Sequence, residues 1–284
     1  MSQPAGPQEG ASDRRSRLRA DCSRCAGLCC VAPAFVASAD FALTKPAGQA
    51  CPHLSGDFSC GIHAELRPRG FPGCSVYDCF GAGQQVVQVS FGGQSWRDQP
   101  ELATQMFATF HRVRQLHELL WYLSEARALP AAAPLHPALD QAIAVVERLT
   151  AAAPEELAEV DLAAERRAVD PLLARASELA RAGVGSPRAR RRWDRPGADL
   201  MGRDLRRLDL GGCNLRGAYL IWADLRGAAL HLTDLLGADL RSTDVRGTDL
   251  TTSLFLTQFQ VNAARGDATT NLPDGLQRPP HWTP

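Results

Sequence analysis

The last third of the chain repeats a hydrophobic position every five residues. From Ala198 it reads ADLMG RDLRR LDLGG CNLRG and continues through twelve consecutive units. The central positions are Leu200, Leu205, Leu210, Leu215, Leu220, Leu225, Leu230, Leu235, Leu240, Val245, Leu250 and Phe255. A five-residue step scatters these side chains around an α-helix and alternates them across a β-strand. Only a chain that turns a corner in every unit can bury them all, so the pattern predicts a solenoid.

This run resembles the pentapeptide-repeat proteins, and the resemblance implies a right-handed, four-sided β-helix, here of three coils. In that family the central residue and the small residue two positions before it face inward. The small positions here are Ala198, Cys213, Ala218, Ala223, Ala228, Thr233, Ala238, Thr243, Thr248 and Ser253. Arg203 and Leu208 break the rule, so we expect an atypical first coil. Cys213 is expected to pack in the core, and the aspartates before the leucines are expected to bond to the corner turns.

The middle of the chain is predicted to be a helical layer. A long amphipathic helix begins at Pro100, with Asp98 as its cap, and carries Leu102, Met106, Phe110, Val113, Leu116, Leu120 and Leu123. Leu139, Ile143, Val146 and Leu149 mark a second helix, and a third, capped by Asp170 and Pro171, carries Leu172, Leu173, Ala176 and Leu179. Before them, alternating Val87, Val89 and Phe91 predict a short strand over residues 84–91.

Cysteine is concentrated near the start of the chain. Eight of the nine cysteines lie there: Cys22, Cys25, Cys29, Cys30, Cys51, Cys60, Cys74 and Cys79. No export signal is evident, so we expect reduced thiols that act as metal ligands rather than disulfides. The spacing Cys22-x2-Cys25-x3-Cys29-Cys30 lets thiolates close on one metal without strain.

The identity of the metal stays open, because soft thiolates suit both zinc and iron-sulfur clusters. Eight thiolates could form two tetrahedral zinc sites, or one four-thiolate cluster with further cysteines left to bridge, cycle or pack. On an extended backbone Cys29 and Cys30 would point in opposed directions, which favours two sites or one ligand beside a packed thiol. His53 and His63 lie in the same stretch and are further candidate ligands.

The segments CSRCAGLCC and ACPHLSGDFSCGIHAELRPRGFPGC resemble the small YkgJ-type proteins, which are described as zinc- or iron-chelating. The resemblance spans about residues 20–82. It implies that the eight clustered cysteines are ligands and that Leu54, Ile62, Arg67 and Pro68 form the framework. His63 stands where that family often has tyrosine. A similar module occurs in flagellin lysine methylases, so a redox or methyl-transfer context stays open.

Charge and hydropathy restrict the classes of partner. The chain has 31 basic and 31 acidic residues, which argues against a general polyanion binder. No apolar run reaches the roughly 18 to 20 residues that span a bilayer, so we expect a cytoplasmic protein without membrane association. Five arginines crowd residues 184–197 and could neutralise phosphates, yet no base-reading motif accompanies them. The solenoid carries eight aspartates and seven arginines, which makes it a poor mimic of DNA for gyrase.

The predicted organisation follows these boundaries: a disordered tail over 1–20, a cysteine-rich metal-binding module over 21–95, a helical layer packed on that module over 96–183, a basic linker over 184–197, the β-helix over 198–257 and a C-terminal cap over 258–284. The fold class is therefore mixed α and β. The first function hypothesis is a metal-binding adaptor whose solenoid surface binds a protein partner. The alternative is an iron-sulfur enzyme or redox sensor that transfers electrons or methyl groups. Nucleic acid is not an expected ligand, and a homodimer stays open.

Overall fold

The computed structural model describes residues 11–282, apart from the side chains of residues 11–13 and 189. It divides into two compact units. The first takes the described part of Met1–Ser75, with Cys79–Ala128 and Pro134–Leu172; the second takes Val76–Asp78, Leu129–Ala133 and the described part of Leu173–Pro284. Residues 1–10 of the predicted tail lie outside the described residues, and helix α1 occupies Ala11–Arg17. Between residues 11 and 282, no helix combines the length and hydropathy that a membrane crossing needs.

The first unit is built around one long helix. A 3-10 turn at Pro100–Leu102 leads into α5, Ala103–Ala128, as the periodicity predicts. Helices α1, α4 (Ala82–Gln85), α6 (His136–Thr150) and α7 (Pro154–Ala158) pack on α5. Met106, Phe110, Val113, Leu116, Leu120 and Leu123 are buried, so six of the seven predicted apolar positions lie in the core.

Short elements and loops form the cysteine-rich part of the first unit. They are a 3-10 turn at Cys22–Arg24, α2 at Leu28–Val31, a 3-10 turn at His63–Glu65 and α3 at Pro72–Val76. Single antiparallel bridges join Phe35 to Lys45 and Leu54 to Cys60. The indole of Trp96 donates to the carbonyl of Ala26 at 2.8 Å, which ties the loops to the segment that leads into α5.

The predicted strand over residues 84–91 is wrong, because this stretch is helical. Helix α4 continues into a π-helical turn at Val86–Ser90. Val86 and Val87 are both buried while Val89 is 58% exposed, so the burial does not follow the alternation that a strand requires. A run this short matches a strand and one turn of helix equally well.

Two predicted helix caps are also wrong. Asp98 does not cap the helix at Pro100; its carboxylate accepts a hydrogen bond from the hydroxyl of Ser95 at 2.6 Å. The third helix, α8, spans Leu162–Arg181 and runs through Pro171. Asp161 caps it by accepting from the backbone N–H groups of Ala163 and Ala164, each at 3.0 Å. A short helix, α9 at Pro187–Trp193, lies within the predicted basic linker.

The second unit contains the repeat, and its backbone pairs in parallel with residues twenty positions later. Asp199 pairs with Tyr219, and Asp204, Asp209 and Asn214 pair with Asp224, Ala229 and Asp234. Four units therefore make one coil, as predicted for a four-sided solenoid. The pairing consists of isolated bridges, and residues 11–282 contain no regular strand, so the β part of the predicted fold is limited to these bridges.

The repeat has the predicted inward positions. Its central residues are buried together with the small residues before them, Cys213 included, except that Ala198 in the first unit is only partly buried. Arg203 is exposed and Leu208 only partly buried, so the first coil is atypical as expected. Inward hydroxyls also bond between coils: Thr233, Thr243 and Thr248 donate to carbonyls 23 residues earlier, at 2.7 to 2.9 Å.

Residues after the last unit close the C-terminal end of the core. Helix α10 spans Gln258–Ala263, and Gln260 donates to the carbonyls of Leu235 and Ala238 at 2.8 and 2.9 Å. Trp282 is buried, and its indole donates to the carbonyl of Ala264 at 3.0 Å. The pairing continues here with longer intervals, of 21 residues from Asp244 to Arg265 and 22 from Asp249 to Asn271.

Candidate functional site

The cysteine-rich loops bring chemically reactive side chains into one part of the first unit. All nine cysteines of the chain are free thiols, so the disulfide alternative is not realised in this structure. Cys25 and Cys51 are buried, Cys22 is exposed, and the other five clustered cysteines are partly buried. Backbone bonds hold distant parts of the cluster together, because the N–H of Cys51 donates to the carbonyl of Cys30 at 3.0 Å.

The first four cysteines form two close pairs. Cys29 and Cys30 both lie on α2, and their sulfurs are 4.0 Å apart. The expectation of opposed directions assumed an extended backbone and is wrong, since successive residues of a helix are about 100° apart. The thiol of Cys25 donates to the carbonyl of Cys22 at 3.4 Å, and side-chain hydrogen bonding between the two cysteines lowers the pKa of Cys25 and raises that of Cys22. The contact between the sulfurs of Cys29 and Cys30 likewise lowers the pKa of Cys30 and raises that of Cys29.

The later cysteines influence one another through Cys30. Burial raises the pKa of Cys51, Cys60 and Cys74, that of Cys74 to about 12, and negative charge on Cys30 raises all three further. Negative charge on Cys79 acts in the same direction on Cys25 and Cys29. These interactions link all eight clustered thiols, so each deprotonation opposes the next unless a cation compensates it.

A buried lysine supplies one such cation. Lys45 is the only lysine of the chain, and its ammonium donates to four carbonyls: Val31 at 3.1 Å, Pro33 at 2.6 Å, Pro46 at 3.1 Å and Gln49 at 2.7 Å. Burial lowers the pKa of Lys45, and its positive charge lowers those of Cys30 and Cys51. The role of Lys45 beside the thiols was not predicted, although a single lysine placed among cysteines was an available signal.

Helix packing supports the position of Cys25, which forms a close pair with Cys22. Gly83, on α4, faces Cys25 so closely that an added Cβ would lie 2.6 Å from the Cβ of Cys25. Phe80 is buried, and its carbonyl bonds to Nδ1 of His117 on α5 at 2.7 Å. Burial lowers the pKa of His117 to about 4, so this ring is a neutral hydrogen-bond donor of the core.

The histidine candidates occupy different environments from the thiols. The ring of His53 stands edge-on to Phe71, with centroids 5.3 Å apart. His63 is exposed at the start of its 3-10 turn. Across residues 11–282, no three cysteine, histidine, aspartate or glutamate side chains are grouped in an arrangement that would hold a metal ion. The donor chemistry of the cluster therefore suits a soft metal, whereas the side-chain arrangement is not that of a closed site.

The solenoid surface is dominated by paired charges. Corner aspartates accept from the backbone N–H two residues later, as Asp204 does from Arg206 at 3.1 Å, which confirms the expected turn role. Arg206, Arg226, Arg241 and Arg246 each also donate from the side chain to the aspartate two positions before. Four of the eight aspartates of the solenoid are thus neutralised by adjacent guanidinium groups.

One part of the solenoid departs from this pattern. A cavity of about 480 Å³ opens at the first coil, where Trp193 and Leu200 provide apolar surface and Arg192, Arg195 and Arg203 provide positive charge. Trp193 packs against the repeat core, as its position before the repeat suggests.

Comparison with known proteins places both units in context. The family model described as pentapeptide repeats, with eight copies, matches residues 197–231 and 218–255. A protein of Bacillus subtilis (strain 168), named Uncharacterized protein YybG, is 53% identical over 265 residues. That alignment covers 93% of this chain and 95% of the relative, so the similarity extends over both units.

Proposed function

This chain belongs to the same family as YybG of Bacillus subtilis, with pentapeptide repeats in its C-terminal third, and we propose that it is a cytoplasmic metal-binding adaptor. In this proposal the cysteine-rich loops hold zinc or an iron-sulfur cluster, and the solenoid binds a protein partner. The observation that supports it best is the gathering of eight free thiols in one unit, where the sulfurs of Cys29 and Cys30 lie 4.0 Å apart and the N–H of Cys51 donates to the carbonyl of Cys30. Soft thiolates at this density are typical of metal sites in reducing compartments.

The ligands would come from Cys22, Cys25, Cys29, Cys30, Cys51, Cys60, Cys74 and Cys79. Rotation about χ1 moves a cysteine sulfur without moving its backbone, and in this proposal such rotations bring the ligand sulfurs together around the metal. Bound metal would compensate the negative charge that opposes their joint deprotonation. It would also supply folding free energy to a segment whose own regular elements are only three to five residues long.

Metal and acid-labile sulfide analysis of the full chain tests this proposal. The protein is purified without oxygen and without a metal-affinity tag, and its visible spectrum is recorded. Zinc in a colourless protein supports a structural centre. Iron with sulfide and visible absorption supports a cluster and favours the redox alternative over a purely structural role. Protein that binds neither metal after reconstitution, with all eight thiols open to a thiol reagent, would refute the metal-binding proposal.

Single substitutions locate the centre. Cys25→Ala and Cys30→Ala are expected to lower metal stoichiometry, and Cys22→Ala provides an exposed position in case the variant at buried Cys25 or at partly buried Cys30 does not fold. Cys213→Ala is the matched control, because Cys213 packs in the solenoid core where many units carry alanine. Full stoichiometry in all three cluster variants would contradict the ligand assignment, whereas equal loss in Cys213→Ala would show that the effect is not local.

A further inference from the structure

The first coil has a cavity that combines positive charge with apolar surface. Its volume of about 480 Å³ is in the range of ordinary ligand pockets. Leu200, one of its lining residues, belongs to the repeat core, and Trp193 packs against that core. The guanidinium of Arg192 lies over the Trp193 ring at 4.8 Å. An occupant would therefore meet an apolar surface surrounded by cations.

The arginines of this cavity differ from Arg206, Arg226, Arg241 and Arg246, which pair with aspartates. Arg192, Arg195 and Arg203 have no acidic partner within the chain from residue 11 to residue 282. Arg226, by contrast, is held by Asp224 at 2.6 Å. The one acidic residue of the cavity, Asp199, already accepts a hydrogen bond from the N–H of Met201 at 3.1 Å. The cavity thus presents unneutralised positive charge to solvent.

Arg203 is also unusual in its position. It stands where the repeat calls for a small inward residue, yet its side chain is exposed and lines the cavity. Alanine occupies the same place in the next coil at Ala223, where it is fully buried. The repeat geometry therefore does not require arginine at this position, and a charged ligand would give it a role.

The backbone beside the cavity offers unpaired hydrogen-bonding groups. In the second coil, the N–H of Tyr219 donates to Ala198 and that of Asp224 to Arg203, each at 2.9 Å. The equivalent N–H groups of the first coil, at Asp199 and Asp204, have no acceptor in the described part of the chain. A peptide in extended conformation carries the alternating donors and acceptors that such an edge can bind.

We propose that the open edge of the first coil, with Arg192, Arg195 and Arg203, binds an acidic peptide segment that inserts an apolar side chain against Trp193 and Leu200. The inference rests on the adaptor role proposed above and specifies the surface and the chemistry of the partner. A peptide is favoured over nucleic acid because its backbone carries the donors and acceptors that match the unpaired edge.

Fluorescence anisotropy with the full chain tests the site. The probe is a fluorescein-labelled peptide, acetyl-Glu-Glu-Val-Glu-Val-Glu-Glu-amide, and the control peptide carries glutamine in place of every glutamate. We expect saturable binding of the acidic peptide that weakens with salt, and little binding of the control. Arg203→Ala should weaken binding about three- to tenfold, the effect of losing one charge-assisted contact at a partly exposed site.

The matched control is Arg207→Gly. Arg207 belongs to the same coil and is exposed, but it does not line this cavity; its φ of 55° is one that glycine adopts freely. Both variants remove one positive charge and both move toward the residue common in the repeat. Binding by Arg207→Gly within about twofold of the parent supports a local site, whereas equal losses in the two variants would overturn it in favour of general charge attraction. If Arg203→Ala does not fold, Arg195→Gln is compared in the same way.

Two further outcomes would overturn the proposal. One is tighter binding of an oligothymidylate than of the acidic peptide, which would assign the arginines to nucleic acid. The other is absence of peptide binding at millimolar concentration, which would leave the arginines only a protective role at an open edge. Metal content is measured on the same samples. Loss of peptide binding with normal metal content would refute the peptide site and leave the metal-binding proposal intact. Absence of metal with intact peptide binding would refute metal binding by the cysteine-rich loops and leave the peptide site intact.

Discussion

The inward hydroxyls of the solenoid allow a sharp test of what holds its coils together. Thr243 is fully buried, and its Oγ1 donates to the carbonyl of Leu220 at 2.7 Å. That carbonyl also accepts from the N–H of Ala223 at 2.9 Å. Substitution of Thr243 by valine keeps the branched shape and removes only the donor, so it separates hydrogen bonding from packing.

The expected size of the effect follows from opposing contributions. A buried hydrogen bond that leaves its acceptor partly satisfied contributes about 1 to 2 kcal/mol. The methyl group that replaces the hydroxyl gains at most about 0.8 kcal/mol from burial. We therefore expect Thr243→Val to lower the free energy of unfolding by about 1 kcal/mol. If the side chain merely fills space, valine should be neutral or stabilising.

Urea unfolding of the full chain, followed by circular dichroism, measures this difference, and hydrogen exchange of peptides covering residues 218–250 shows whether the loss is local. Thr251→Val is the matched control. The Thr251 hydroxyl is exposed and bonds to the side chain of Asp249 at 2.7 Å, so its loss should change stability by less than about 0.5 kcal/mol. Equal or greater stability of Thr243→Val relative to the parent chain would refute the proposed contribution of the hydroxyls.

Three further predictions concern buried titratable groups. Because the pKa of His117 is lowered to about 4, the unfolded chain binds more protons below pH 6.5; stability should fall as pH decreases from about 6.5 toward 4, and His117→Asn should flatten that pH profile of urea midpoints. Burial raises the pKa of Asp234, whose Oδ2 has no hydrogen-bond partner among residues 11–282, so the stability of the folded chain relative to the unfolded chain should fall as pH rises above about 4 and this carboxyl ionises. Asp234→Asn, which places there the residue found at Asn214, should therefore gain stability relative to the parent as pH rises, and a constant difference across the same titration would contradict this. Lys45→Met should destabilise the cysteine-rich loops by about 3 kcal/mol or more, because four carbonyls lose their donor, and faster reaction of the clustered thiols with a thiol reagent is the measurement; unchanged thiol kinetics would show that the ammonium is dispensable.

The solenoid could be predicted from sequence because burying a residue every five positions restricts the backbone to a chain that turns in every unit. One leucine in five residues is incompatible with a buried helix or strand, and the pairing interval of twenty residues follows once each unit turns one corner. The exceptions were equally readable, since an arginine at the small position of Arg203 cannot enter a filled core. The paired arginines were not readable, because their partners are fixed by corner geometry rather than by composition.

The helical layer could be predicted only where apolar residues recur at steps of three and four over many residues. The burial of Met106 and Phe110 on α5 follows from steps of three and four residues. The start of α8 was misplaced because proline was taken as a first-turn residue, whereas Pro171 lies inside the helix and Asp161 provides the cap.

The candidate site was predictable in composition and not in geometry. Spacing identified the cysteines, but it gave no information on how Cys51 meets Cys30, because that contact is made by backbone atoms 21 residues apart. The placement of Lys45 depends on four carbonyls from loops that carry no periodic pattern. Such contacts are set by tertiary structure, and a local sequence window does not contain them.

The lengthened pairing intervals after the last unit have a consequence for the growth of this architecture. Between Asp199 and Leu254 all backbone pairs join residues that are 20 positions apart. The tail pairs after 21 and 22 residues, so it does not continue the twenty-residue interval. Insertion of twenty residues between the two ends would add one coil and leave both terminal structures in register. Residues added after the tail could not continue the solenoid, because the tail does not keep the twenty-residue interval. Evolution can therefore lengthen the solenoid by inserting internal coils, and each inserted coil increases the distance between the two ends by the same step.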